Sequence, residues 1–137
     1  MDSFYLNTLQ KKLKNKTDIK KINIDEKLSL FKEYWNPKII GELNGQHVKL
    51  AKLKGEFIWH KHDHEDEMFY VLKGCLKIEF EDYTKEINEN EIIIIPKGVN
   101  HKPVAEKEVI IMLFEPISTI NTGELKNEKT REKLEKI

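Results

Sequence analysis

The sequence predicts an all-β fold, an antiparallel sandwich or barrel formed by a single domain. Three observations predict it. From residue 38 onward, short runs rich in Ile, Val, Phe and Tyr follow one another with no helix-length periodic segment between them. Gly, Asn or Pro interrupts these runs at short intervals, the rhythm of hairpins and not of strand–helix–strand units. The length of 137 residues, with 39% hydrophobic and 35% charged side chains, suits one core under a well-solvated surface.

Taken in order, residues 1–24 form an extension apart from the domain at 25–137. In "FYLNTLQKKLKNK", Phe4, Leu6, Leu9 and Leu13 fall at roughly helical spacing. Residues 1–24 carry six lysines against two aspartates. A short, partly frayed helix packed on the barrel edge is the expectation. A helical turn follows at "DEKLSLF", with Asp25 as its N-cap. "KIIGEL" and "QHVKLAKL" are then two strands joined by Asn44-Gly45, a strong hairpin signal because both turn residues must take positive φ. "EFIWHKH", "EMFYVLKG", "CLKIEFE", "YTKEI", "EIIIIP" and "EVIIMLFEP" continue the strand series, with "EIIIIP" of buried type. The tail "NTGELKNEKTREKLEKI" reads as a turn followed by a charged segment of helical character.

Several function classes drop out. Net charge is zero, so no overall field draws the protein to nucleic acid or an anionic membrane. No apolar run has the length of a membrane span, and "MDSFYLNTLQKKLKNK" lacks the apolar stretch of a signal peptide. These features fit a cytoplasmic protein. Cys75 is the single cysteine, which rules out an intramolecular disulfide. It follows Gly74 with no histidine beside it, and reads as a small residue near a turn rather than a nucleophile.

The chemistry is concentrated in "HKHDHEDE", residues 60–67, three histidines and four acids. Strand side chains alternate faces, so His60 and His62 project to one side, roughly 7 Å apart at Cα by the strand rise. His62 and His64 have the same spacing. Hairpin length separates the pairs: leaving one strand at His62 and entering the next at Glu67 leaves Asp63–Asp66 as the connection, a normal length. His60, His62 and Glu67 are therefore the candidate ligands, with His64 in the turn. Downstream, "EIIIIPKGVNH" runs from a strand through a Pro–Lys–Gly turn to His101. Pro96 ends the strand, Gly98 can redirect the chain, and His101 becomes a fourth candidate. His47, alone in "QHVKL", reads as structural or exposed.

Here the chain resembles the cupin family. "GEFIWHKHDHEDEMFYVLKG" is similar to the first cupin motif, with His60, His62, Glu67 and Gly74 in its pattern and Gly55 one residue off the usual spacing. "NENEIIIIPKGVNH" is similar to the second, with Pro96, Gly98 and His101 in register, and with Asn90 where a glycine is usual. The resemblance covers residues 38–115. It implies a cupin-type double-stranded β-helix, a jelly-roll barrel, with His60, His62, Glu67 and His101 as ligands of one divalent transition metal. Three imidazoles and a carboxylate suit Fe, Mn, Ni, Zn or Cu without choosing among them. Small cupins of this kind are often grouped with mannose-6-phosphate isomerase-like proteins.

Two functional classes follow. One is a metalloenzyme acting on a small organic molecule held in the barrel, either an oxygenase or a sugar or keto-acid isomerase. The other is a non-catalytic metal or small-ligand module. Strand parity adds a partner. If Glu67 points inward, so do Phe69 and Val71, with Phe69 and Phe114 as candidate walls of an apolar pocket. Met68, Tyr70 and Leu72, with Trp59, then form an outer face too apolar for water, for which a homodimer is the expected cover.

Overall fold

The computed structural model describes residues 3–7 and 19–137. Residues 3–7 are helical and exposed; the rest of the expected N-terminal helix, through Leu13, lies outside the described residues. A five-residue helix spans Ile24–Leu28. Its N-cap is Asn23, two residues before the expected Asp25, because the Asn23 side chain accepts from the Glu26 amide at 2.9 Å. Asp25 instead lies in the first turn, beside the positive end of the helix.

Seven strands follow: β1 (Lys38–Leu43), β2 (Gln46–Glu56), β3 (Glu67–Lys73), β4 (Leu76–Glu79), β5 (Thr84–Ile87), β6 (Ile92–Ile95) and β7 (Lys102–Pro116). The β1–β2 hairpin turns at Asn44 (φ 48°) and Gly45 (φ 76°), as its residues require. β7 organises the barrel. It pairs with β2 along one edge, while on the other Ile110–Phe114 pair with β3 and Lys102–Val104 pair with β4. Opposite β2, register shifts between Leu53 and Gly55, and the three residues Glu106–Glu108 bulge outward. That bulge bends β7 so that one strand serves both layers. The β7 strand is longer than "EVIIMLFEP" because residues from Lys102 onward join this bend.

Inward-facing residues of β2, β3, β4 and β7 close the core around Ala51, Leu53, Phe69, Val71, Leu76, Ile78, Val109 and Ile111. Each large aliphatic side chain here contributes roughly 1.5–3 kcal/mol by leaving water. Phe114 belongs to the opposite face: it pairs with Val48 and Met68 and is half-buried, because it stands an odd number of residues from inward Leu113 and Glu115. Among the described residues β6 pairs only with β3, so it is an edge strand there, and Ile92 and Ile94 are exposed rather than buried.

The C-terminal segment is not helical. Asn121 and Thr122 bind nearby backbone instead: Asn121 Nδ2 donates to Lys129 O at 2.9 Å, and Thr122 Oγ1 to Leu125 O at 2.6 Å. Such local side-chain bonds favour turns over helix. The last residues clip onto β1, with Ile39 N donating to Glu135 O and Ile137 N to Ile39 O at 2.9 and 3.0 Å. Among the described residues no helix is long and apolar enough to cross a membrane.

Candidate metal centre

The four candidate residues converge. His60, His62, Glu67 and His101 are all buried, and their ligating atoms lie within 4.8 Å of one another. They do not converge through the hairpin that their spacing suggests. The segment after β2 pairs with the chain around His101, not with β3: His60 N donates to His101 O at 3.0 Å and His101 N to His60 O at 2.9 Å. β3 pairs with β6 and β7 and delivers Glu67 from the other side. A strand pair would place the ligands on one sheet, whereas the barrel assembles them from three separate stretches.

Two further hydrogen bonds lock the motifs together. Gly98 N donates to His62 O at 2.8 Å, and Lys97 N donates to Asp66 Oδ1 at 2.8 Å. Gly98 has φ 82° and Asn90 φ 65°, so both turns use the left-handed region. The loop acids thus shape the turn, and His64 is exposed and outside the cluster.

Backbone carbonyls set the imidazole orientation. Ile58 O lies 2.9 Å from His60 Nδ1 and Val99 O 2.9 Å from His101 Nδ1, which makes Nδ1 the protonated nitrogen and leaves Nε2 as a free base facing the cluster. His62 Nε2 lies 3.0 Å and His101 Nε2 3.2 Å from Glu67 Oε1. Yet none of these three buried atoms has a hydrogen-bond partner, because the groups face a shared space and are not aligned with each other. Orphaned buried polar atoms are costly, and a cation among them would satisfy all three. The donor set therefore fits a divalent transition ion.

The local electrostatics agree. Burial, and then the closeness of His101, lower the His60 pKa to about 4, so the ring is a neutral donor at neutral pH. Burial pushes the Glu67 carboxyl up, but the His101 and His62 imidazoles outweigh it and hold the pKa well below the usual range. Cys75 shows the opposite of activation, since burial raises its thiol pKa. His47 is buried and its pKa lowered by burial.

Sequence reasoning singled out Phe69 as a pocket wall, but not the other residues of the site. Inside the barrel, a cavity of about 50 Å³ meets His60 and Glu67. Phe57 and Phe69 line it, as do two charged residues, Lys49 and Glu115. Burial and the nearby Glu67 charge push the Glu115 carboxyl well above its usual range, against the pull of Lys49. A signal for both was present: Lys49 shares inward parity with Ala51 and Leu53, and Glu115 with Ile111 and Leu113. Trp35 covers this cavity from the N-terminal side. Its ring stacks on Phe57 at 4.9 Å, its Nε1 donates to Lys54 O at 2.8 Å, and its backbone sits at φ 57°, which is unusual for a bulky residue. Asn121 and Leu134 cover it from the C-terminal side. His60 also borders an open outer cleft of about 670 Å³ with Trp59, Phe80 and Tyr83. Trp59 thus lies apart from Met68 and Tyr70, which face Ile94 and Ile92 across the β3–β6 pair.

A barrel of this topology, with a His/His/Glu/His cluster at one end, defines a cupin able to hold a metal. The chain belongs to the cupin domain family, whose profile matches residues 46–115. It is similar to a cupin-2 domain protein of Shewanella frigidimarina, 46% identical with TM-score 0.69, over 69% of this chain and 93% of that one. A Neisseria meningitidis protein of known structure is 34% identical with TM-score 0.66, over 71% of this chain and 99% of the other. YdbB, an uncharacterized protein of Bacillus subtilis, is 44% identical over 64 residues, which are 46% of this chain and 57% of YdbB.

Proposed function

We propose that this cupin binds one divalent transition metal per chain, Fe, Mn, Ni, Zn or Cu, through His60, His62, Glu67 and His101. The reading rests on one observation: four buried donor groups within 4.8 Å, with the facing atoms of His62, Glu67 and His101 unpartnered. We further propose that the bound metal acts on a small organic molecule in the barrel, as an oxygenase or a sugar or keto-acid isomerase does. When bound, the ion would supply Lewis acidity or oxygen activation. The chain's own residues do the rest. The Ile58 and Val99 carbonyls fix the His60 and His101 rings, and Glu67 contributes the negative charge. Phe57 and Phe69 keep bulk water from the interior. Protein purified without a histidine tag is expected to carry close to one equivalent of a transition metal by elemental analysis. A metal-free preparation that also fails to take up added Zn, Mn or Fe would sink this reading.

The face carrying Met68, Tyr70, Met112 and Phe114 continues onto Ile92 and Ile94, which are 53% and 60% exposed. An apolar edge strand left open invites pairing with another chain. We propose that a second copy covers it, giving a homodimer. Wild-type protein is expected to sediment as a dimer, and Ile94→Lys as a monomer with its metal content unchanged. A monomeric wild type would count against the dimer and leave the metal site untouched.

A further inference from the structure

Lys49 on β2 and Glu115 on β7 are the two charged groups in the interior cavity that the four-residue cluster does not use. They are 2% and 3% exposed, and Lys49 Nζ donates to Glu115 Oε1 at 2.7 Å. A buried ion pair is expensive, and an apolar pair of similar volume often serves stability as well or better. This pair is also incomplete. Glu115 Oε2 accepts from no donor, the Glu115 carboxyl otherwise meeting that of Glu67, and an ammonium has three donors, of which the Glu115 contact uses one. Unfilled acceptor and donor positions lie together beside the cavity that His60 and Glu67 also border.

Charge decides what can fill them. Without a metal, the two carboxylates and one ammonium leave the cavity negative. With a divalent ion present, the same groups leave one positive charge in surplus. A buried positive excess favours an anion. Size limits it further. A cavity of about 50 Å³ admits a molecule of a few non-hydrogen atoms, which excludes a sugar or a sugar phosphate and narrows the substrate to a short acid.

We propose that Lys49, held in place by Glu115, is the anion-binding residue of this cavity, and that its ligand is a short-chain 2-hydroxy carboxylate. The ligand carboxylate accepts from the Lys49 ammonium. A hydroxyl on the adjacent carbon donates to Glu115 Oε2. The ligand is thereby held next to His60 and Glu67, with oxygens available to the metal. The inference rests on the metal reading above and deepens it by naming the substrate class.

The test uses the full chain loaded with Co(II), whose visible absorption reports its coordination. Glycolate and lactate are titrated in turn, with ethylene glycol as a neutral compound of similar size. Saturable spectral change with glycolate or lactate is expected, and none with ethylene glycol at the same concentrations. Lys49→Met should keep one cobalt per chain and lose about 10- to 100-fold in glycolate affinity, the usual scale for a charge-assisted hydrogen bond. If Lys49→Met fails to fold because Glu115 is left alone, the double variant Lys49→Met/Glu115→Leu removes both charges and should show the same loss. Equal glycolate affinity in the variant, an equal response to ethylene glycol, or a wild type that binds cobalt but ignores both acids overturns this proposal alone. A wild type that takes up no cobalt overturns the metal reading and the proposal with it.

Discussion

Replacing His101 with alanine is expected to empty the metal site. His101 is fully buried, its ring fixed through Nδ1 by Val99 O and its Nε2 left unpartnered among the other donors. Deleting a group that merely orients a ligand costs 10–100-fold in metal affinity, and deleting the ligand itself should exceed that. His60→Ala should do the same. His64→Ala, two residues from His62 but exposed, should leave metal content unchanged. Equal metal retention by all three variants would mean that the cluster is not the site. His60→Ala also has a pH signature in the metal-free protein. The His60 pKa is about 4 in the fold against about 6.5 unfolded, so between these values the unfolded chain holds more protons. The neutral buried ring therefore stabilises the fold fully above pH 6.5, and that contribution is lost as pH falls toward 4. The shift corresponds to about 3 kcal/mol. Chemical denaturation at pH 7 and pH 4 should show a smaller acid destabilisation in His60→Ala than in wild type. An unchanged pH dependence would mean that His60 is not a neutral buried base.

Residue spacing and parity made much of this legible in sequence. Asn44-Gly45 specified its hairpin because few residues tolerate two consecutive positive φ values. Glu67, Phe69 and Val71 share an inward face because strand alternation permits nothing else once one of them is placed. His101 could be singled out because Pro96 and Gly98 fix a turn just before it. What stayed hidden is long-range. The partner of the His60 segment is the chain near His101, forty residues on, and no local pattern names it. Lys49 and Glu115 carry no local mark, since 35% of the chain is charged and most such residues are solvated. Only the parity of their strands marked them, and parity is weak where a bulge can shift register, as it does in β2 against β7. The tail misled for a related reason: its lysines and glutamates favour a helix, but Asn121, Thr122 and the β1 edge offer its backbone other partners.

That tail carries the second large effect. Gly123 lies in the turn covering the metal loop, at φ 61°. A Cβ there would overlap the Lys61 carbonyl oxygen and lie 3.5 Å from His62 Nδ1. The obstructing atoms are backbone, so no side-chain rotation relieves the clash. Either the turn lifts away or the Lys61–His62 peptide moves, and the second option displaces a ligand. The turn is also fastened at Glu124, whose amide donates to Lys61 O at 3.3 Å and whose Oε1 accepts from Asp63 N at 3.4 Å. Gly123→Ala should therefore combine left-handed strain of about 1–2 kcal/mol with an overpacking cost of about 1–3 kcal/mol. For a chain of this size that lowers Tm by roughly 10 °C. Metal affinity should fall about 10–100-fold, as when a ligand loses its support. Gly45→Ala is the matched control: it too has positive φ, 76°, but open space where the Cβ would go. It should show only the backbone strain and keep its metal. If thermal melts and metal titrations make the two variants alike, the C-terminal turn does not hold the metal loop, and His62 owes its position to the barrel alone.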